Sequence, residues 1–235
     1  MQGRINSFQS LGTLDGPGVR FVAFLAGCNL RCSCCHNPET HNILGGKLFS
    51  AEQVVERAIK YKEYFGKDGG ITLSGGEPLV QAEFAKEIFA LAKAQGLNTC
   101  LDTSGSILNE NVLELLTVTD RVLLDIKYTN DEHYRRYVGC SYSDVLEFLK
   151  VLNDRNIKTT IRQVIIPTKN DDEQNIFNLN AIIKAHPCID KVELLPFKKI
   201  CQTKYDNLGI TFPFKNLPTP TSEKMEKLNR LVCIK

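Results

Sequence analysis

Three cysteines, Cys28, Cys32 and Cys35, follow an apolar segment with the spacing C-x3-C-x2-C, and Cys34 lies among them. Three thiolates on one loop suit a 4Fe–4S cube, because three cysteine ligands leave one of its irons open to another molecule. Zinc held by all four cysteines is the alternative. A structural zinc site normally draws separated pairs of ligands, whereas the neighbouring Cys34 and Cys35 would direct their side chains apart.

The composition is typical of one ordinary soluble domain. The chain has 235 residues, of which 43% are hydrophobic and 24% are charged. No apolar run approaches the ~20 residues of a membrane span, and the N-terminus lacks the apolar core of a secretory signal, so we expect a cytoplasmic protein. The nine cysteines, an odd number, should then stay reduced. A net charge of +2 without a long basic block predicts neither a nucleic-acid nor a membrane partner.

Short apolar segments alternate with amphipathic ones along the chain. The predicted strands cover residues 19–26, 70–73, 98–101, 121–126, 159–166 and 192–195. Ser50 and Gln53 form a capping box before a helix that runs to about Phe65, and a second helix stops near Gly96. Further helices are predicted over residues 110–116, 143–153 and 173–185. This alternation predicts an α/β fold in which right-handed crossovers join a parallel sheet.

Six such units are fewer than a closed (β/α)8 barrel requires, so they form either a partial barrel or a doubly wound sheet. The residues with unusual chemistry favour the barrel, because all of them lie at the C-terminal ends of predicted strands. In strand order they are residues 28–35, 74–78 and 102–105, then Asp125 with Lys127, and Lys198. Barrel enzymes build their active sites at this rim from the ends of several strands.

Several of these rim residues also have a purely structural interpretation. The Gly-Gly-Glu of residues 75–77 could approach an ammonium group closely, but a Gly-Gly turn after a strand is more often only a turn. Asp125 and Lys127 point to the same face of their strand, where they could line the barrel mouth or form a salt bridge. Asp102 is either a cap or turn residue or a second carboxylate beside Asp125.

Eight motifs occur in order along nearly the whole chain. They are G-R-I-x-S-F (3–8), D-G-P-G (15–18), C-x3-C-x2-C-H-N (28–37), S-G-G-E (74–77), C-L-D-T (100–103), L-D-x-K (124–127), I-R-x-V (161–164) and E-L-L-P (193–196). In them the chain resembles the radical S-adenosylmethionine superfamily, and most closely the family that activates glycyl radical enzymes of the pyruvate formate-lyase type. The resemblance implies one domain, a partial (β/α)6 barrel core over 19–198 with an N-terminal extension over 1–18 and a helix-containing C-terminal segment over 199–235.

The resemblance also implies roles for individual residues. Cys28, Cys32 and Cys35 would bind three irons of a 4Fe–4S cluster, and S-adenosylmethionine would chelate the fourth. The contacts it implies for S-adenosylmethionine are Gly75, Gly76 and Glu77 for the ammonium group, Asp102, Asp125 and Lys127 for the carboxylate and ribose region, Arg162 and Val164 for the nucleoside or methionine, and His36 and Asn37 for adenine. A monovalent cation bridging the carboxylates is compatible with this set.

Three further positions complete the implied site. Asp15 in D-G-P-G would face the incoming protein substrate. Cys34 stands where relatives usually have an aromatic residue, which leaves it backbone contacts with adenine. Lys198 stands where relatives often have a histidine, and its ammonium group could donate a hydrogen bond to a ribose or a carboxylate.

The implied reaction begins with an electron from flavodoxin or ferredoxin. Reductive cleavage of S-adenosylmethionine would give methionine and a 5′-deoxyadenosyl radical, which takes a hydrogen from a glycine of the partner enzyme. Residues 36–99 contain no cysteine, so the chain lacks the ferredoxin-like insert of several related activators, which favours a formate-lyase type partner. The alternatives are an activator of another glycyl radical enzyme, a radical enzyme acting on a small molecule, and a zinc-stabilised binding module.

Overall fold

The computed structural model describes residues 1–234. Its strands are β1 (Gln2–Gly12), β2 (Arg20–Leu25), β3 (Lys47–Ser50), β4 (Gly70–Gly75), β5 (Asn98–Thr103), β6 (Arg121–Asp125), β7 (Lys158–Ile165) and β8 (Ile189–Pro196). They form a sheet in the order β3-β1-β2-β4-β5-β6-β7-β8. The pairs β2–β4, β4–β5 and β7–β8 are parallel, whereas β1 is antiparallel to both β2 and β3.

Helices occupy the connections between the strands. They are α1 (Ala51–Ile59), α2 (Ala82–Ala94), α3 (Glu110–Leu115), α4 (Asp131–Tyr137), α5 (Tyr142–Asp154), α6 (Glu173–Ala185), α7 (Gln202–Asn207) and α8 (Ser222–Leu231). The predicted α/β barrel fold is confirmed, and the six predicted strands correspond to β2 and β4 to β8. Among the residues 1–234, none of the helices has the length and apolar character needed to cross a bilayer.

Two strands and two helices were not predicted. The strand β1 is rich in Gln, Ser, Asn and Gly, which are not among the β-branched and aromatic residues that favour strands. The strand β3 is only four residues long. The helices α4 and α7 are short and polar, with seven and six residues. Each of these elements lacks the apolar periodicity that predicts the others.

The chain folds into two compact units. The first consists of residues 1–29 and 39–123, and the second of residues 30–38 together with the described chain from residue 124. The division of the chain into an N-terminal extension, a barrel core and a C-terminal segment within one domain stays a prediction.

In the first unit, local signals set the helix ends. The capping box before α1 is confirmed, because Ser50 Oγ accepts from Gln53 N and the Gln53 side chain accepts from Ser50 N. The helix ends at Ile59 rather than at Phe65, and a 3-10 turn covers residues 62–64. After α2 the chain turns at Gly96, whose φ of +73° favours glycine.

The fully buried Arg20 joins three strands of the first unit at their N-terminal ends. It begins β2, and its guanidinium donates to Ile71 O on β4 at 2.6 Å and to Asn98 Oδ1 on β5 at 2.8 Å. Its Nε donates to Thr72 Oγ1 at 3.0 Å. These bonds stabilise the charged side chain in the core.

The second unit ends in the helix α8. As predicted for an amphipathic helix, Met225 and Leu228 are buried. The helix packs against α6 and β8. It therefore covers the last strand of the sheet, which would otherwise be an open edge.

Candidate active site

In the second unit, the loop that contains Cys32 and Cys35 is held by backbone hydrogen bonds. Cys35 N donates to Cys32 O at 3.0 Å, which closes a turn within the loop. The N–H groups of Arg31 and Ser33 donate to the carbonyls of Val138 and of the last residue of α4, at 3.2 and 2.8 Å. The main chain thus fixes the path of this loop.

The residues after Cys35 are bound by the chain that follows β8 in the same unit. Asn37 N donates to Cys35 Sγ at 3.4 Å, and Lys204 Nζ donates to Asn37 Oδ1 at 2.7 Å. His36 Nε2 lies 3.0 Å from Lys198 O, and since a carbonyl only accepts, this nitrogen carries the proton. Burial lowers the pKa of His36 below its usual 6.5, so its ring is neutral at pH 7.

Asp125 and Lys127 form an ion pair at the end of β6. Lys127 Nζ lies 2.5 Å from Asp125 Oδ2, and the two side chains are only 17% and 30% exposed respectively. Burial opposes the charged form of both, but Lys127 and Arg162 outweigh it and lower the pKa of Asp125. Asp125, with Cys32 and Cys34, raises the pKa of Lys127 well above its usual value. The salt bridge considered as an alternative is therefore present, and Lys127 lies within electrostatic reach of two cysteines.

The Cys34 thiol lies in surroundings that oppose its ionisation. Burial raises the pKa of this thiol to about 11. All four cysteines of the loop are half-buried. The three-cysteine ligand set therefore stays a prediction that rests on the spacing of Cys28, Cys32 and Cys35.

In the first unit, Glu77 is 2% exposed and its carboxylate is saturated by protein donors. Oε1 accepts from Leu79 N at 3.1 Å and Thr103 Oγ1 at 2.6 Å. Oε2 accepts from Ser104 N at 2.9 Å and Ser104 Oγ at 2.5 Å. Burial raises the pKa of Glu77 in spite of these bonds. The side chain thus ties the turn after β4 to the end of β5.

The glycines before Glu77 allow the backbone to approach the segment that leads to Cys28. Gly75 has a φ of +112°, and a Cβ on Gly76 would lie 2.1 Å from Gly27 O. Glu77 N donates to that same carbonyl at 2.9 Å. Any larger residue at position 76 would push away the backbone immediately before Cys28. The Gly-Gly pair therefore has a packing role whatever else it contacts.

The other predicted site residues of the first unit, Asp102 and Asp15, are both half-buried. Asp102 Oδ2 accepts from Ser74 Oγ at 2.7 Å, which joins the ends of β5 and β4. The carbonyl of Asp15 accepts from Thr72 Oγ1 at 2.7 Å. The proposed contact of Asp15 with a protein substrate stays a prediction.

In the second unit, Arg162 has a partner that the sequence analysis did not predict. Its Nε lies 3.8 Å from Glu193 Oε2, and these two residues face each other in the parallel register of β7 and β8. The pair follows from the strand register and not from a sequence motif, so the sequence analysis could not predict it. Val164 uses its carbonyl to accept from Asn170 Nδ2 at 2.9 Å.

The side chains fit a thiolate-bound cluster in their chemistry. Cys28, Cys32 and Cys35 are half-buried cysteines outside any disulfide, and Cys35 Sγ accepts a hydrogen bond from a backbone N–H, which suits a thiolate. In the part of the chain that the structure describes, the buried Tyr128 hydroxyl has no hydrogen-bond partner, and it lies within electrostatic reach of Cys34 and Cys32. Among residues 1–234, no three His, Cys, Asp or Glu side chains are grouped as a ready metal site. The assignment of individual ligands therefore stays a prediction.

Replacing Asp125 with asparagine should destabilise the protein by about 2 kcal/mol at pH 7, because Lys127 is left partly buried without its counter-charge. A lowered carboxyl pKa stabilises the fold above the usual value of 3.8, and this contribution is lost as the pH falls through the folded-state pKa. The difference in unfolding free energy between wild type and Asp125→Asn should therefore stay at about 2 kcal/mol from pH 6 to 8. It should become smaller in strong acid. Urea unfolding at several pH values measures it, and a difference that grows in acid would contradict the pairing.

Comparisons with known proteins agree over nearly the whole chain. The family described as the radical SAM superfamily matches residues 22–179. The pyruvate formate-lyase-activating enzyme of Clostridium pasteurianum is 42% identical over 231 residues, which cover 98% of this chain and 97% of that relative. The pyruvate formate-lyase 1-activating enzyme of Escherichia coli K12 is 38% identical over 233 residues, which cover 98% and 95%.

Solved structures show the same fold at lower identity. A domain of a pyruvate-formate lyase-activating enzyme from Bacteroides vulgatus has a TM-score of 0.58 at 20% identity, covering 70% of this chain and 92% of that one. Streptococcus suis SuiB bound to S-adenosylmethionine has a TM-score of 0.67 at 15% identity, covering 86% and 44%.

Proposed function

The chain belongs to the radical SAM superfamily, and on this basis we propose that it activates pyruvate formate-lyase by generating a glycyl radical. The observation that carries this function is the near full-length similarity, at 42% and 38% identity, to activating enzymes of that name. When bound, a 4Fe–4S cluster and S-adenosylmethionine supply an electron and a 5′-deoxyadenosyl radical that takes a hydrogen from a glycine of the partner.

Cys28, Cys32 and Cys35 hold the cluster in this proposal. Their spacing leaves one iron without a protein ligand. The bond from Asn37 N to Cys35 Sγ supports the assignment, because a donor to sulfur stabilises the thiolate form. Cys34 is left out of the ligand set, since the C-x3-C-x2-C spacing is complete without it, and is assigned a backbone contact with adenine.

Charged and backbone groups at the strand ends bind S-adenosylmethionine in the proposal. Its carboxylate and ribose region are assigned to Asp125 and Lys127, and the Lys127 ammonium of this ion pair supplies a positive charge for the carboxylate. The Glu77 carboxylate already accepts from four protein donors, so we propose that it shapes the turn after β4. The backbone carbonyls of this turn then contact the ammonium group of S-adenosylmethionine. The other contacts are assigned to Gly75, Gly76, Asp102, Arg162, Val164, His36, Asn37 and Lys198, with a monovalent cation between the carboxylates.

Two partners follow from this function. The protein substrate is a glycyl radical enzyme of the pyruvate formate-lyase type, which Asp15 is proposed to face, and the electron donor is flavodoxin or ferredoxin. We place the reaction in the cytoplasm. The odd count of nine cysteines supports that placement, because a secreted disulfide framework normally uses an even number.

Mixing with purified pyruvate formate-lyase tests the function. We expect anaerobically reconstituted protein to contain about four irons and, with reductant and S-adenosylmethionine, to produce a glycyl doublet in the EPR spectrum of the partner. Omission of S-adenosylmethionine is the control and should leave no doublet. A doublet only with a diol lyase would identify another glycyl radical enzyme as the partner. Cleavage of S-adenosylmethionine without any doublet would indicate a small-molecule enzyme, and stoichiometric zinc would indicate a binding module.

A further inference from the structure

The short helix α7 is fixed firmly to the second unit by aromatic packing. Tyr205 on this helix is 3% exposed, and its ring centroid lies 4.8 Å from that of Phe212. Phe212 in turn lies 6.1 Å from Phe197, which follows β8, and both phenylalanines are fully buried. A side chain next to Tyr205 is therefore presented from a rigid support.

That neighbouring side chain is Lys204, which reaches the loop after the cysteines. Its ammonium donates to Asn37 Oδ1 at 2.7 Å although the two residues are 167 positions apart. The backbone N–H of the same asparagine donates to Cys35 Sγ at 3.4 Å. One lysine thus holds the residue that donates to a proposed ligand sulfur.

Resting on the proposed function, we propose that Lys204 is a positioning residue that keeps the Asn37 N–H on Cys35 Sγ and makes the cluster easier to reduce. Reduction of a [4Fe–4S]²⁺ cluster to [4Fe–4S]⁺ by an external one-electron donor adds one negative charge. Hydrogen bonds to sulfur and nearby positive charge both stabilise the reduced form. The effect of Lys204 on the cluster passes through its hydrogen bond to Asn37 and through its positive charge.

Lys204→Met tests this role, because methionine keeps the length and removes the donor and the charge. We expect the reconstituted variant to bind iron as wild type does, with a more negative midpoint potential in an EPR-monitored titration. Iron release to a chelator should be about tenfold faster, as for other groups that orient metal ligands. Lys204→Arg keeps both donor and charge and should restore potential and iron retention. Circular dichroism of each variant checks the fold, and Lys204→Leu, which also removes donor and charge, replaces Lys204→Met if the latter does not fold.

Lys199→Met is the matched control. Lys199 belongs to the same segment, but its ammonium donates to Lys215 O at 3.2 Å, so this variant should behave as wild type. A Lys204→Met protein with wild-type potential and iron release overturns the inference, as does an equal change in Lys199→Met. If wild type itself forms no 4Fe–4S cluster, the proposed function fails. If wild type makes the glycyl radical and Lys204→Met matches it in both readouts, only the role of Lys204 fails.

Discussion

Cys32→Ala should lose both the cluster and the cleavage of S-adenosylmethionine. Reconstituted wild type is expected to hold about four irons per chain, and the variant close to none, because two thiolates cannot retain a cube against exchange with solvent thiols. Radical formation should fall below detection. Iron and sulfide analysis of anaerobic samples, with chromatography of 5′-deoxyadenosine, measures both.

Cys34→Ala is the control for this variant, because it removes a thiol two positions away in the same loop. Cys34 lies outside the proposed ligand set, so its removal should leave the iron content unchanged. The opposite outcome, iron retained by Cys32→Ala and lost by Cys34→Ala, would show that the ligand set is wrong. Loss of metal in both variants would instead support zinc held by all four cysteines.

Glu77→Ala should lower the free energy of unfolding by about 3 kcal/mol. The substitution removes the acceptor of four hydrogen bonds, and it leaves the N–H groups of Leu79 and Ser104 buried without a partner. The turn after β4 and the end of β5 then separate, so the same variant should also lose cleavage of S-adenosylmethionine. Urea unfolding of the metal-free protein measures the first effect, and 5′-deoxyadenosine formation measures the second.

Glu83→Ala serves as the comparison for Glu77. Glu83 accepts from Asn111 Nδ2 at 2.8 Å on the exposed surface of α2, so its removal should change the stability by no more than about 0.5 kcal/mol. A Glu77→Ala protein as stable as Glu83→Ala would contradict the conclusion that the buried carboxylate ties the two strand ends together.

The predictable parts of this fold are those in which local pattern and tertiary role agree. The strands β2, β4, β5 and β6 are largely buried on both faces, where apolar residues are favoured, and the capping box at Ser50 is a local signal. The polar β1 is a strand only because it pairs with β2 and β3, a relation between distant segments. The composition of this segment therefore could not predict that it forms a strand.

The site shows the same division. The cysteine triplet and the residues at strand ends are visible in the sequence as spacing. Three of the four donors to Glu77 belong to Thr103 and Ser104, 26 and 27 residues away, and the Arg162–Glu193 pair depends on strand register. Lys204 is separated from its asparagine by most of the chain. Such contacts depend on the folded path, which a single sequence does not specify by pattern.

The backbone bonds from Arg31 and Ser33 to the end of α4 bear on how the protein survives exposure to air. Because these hydrogen bonds involve no sulfur, the loop should keep its backbone conformation after oxygen has destroyed the iron–sulfur cluster. Small zinc domains, by contrast, unfold when their metal is removed. We therefore expect damaged molecules to be repaired in place by fresh iron and sulfide, so that a cell returning to anaerobic life could recover this activity without new protein synthesis.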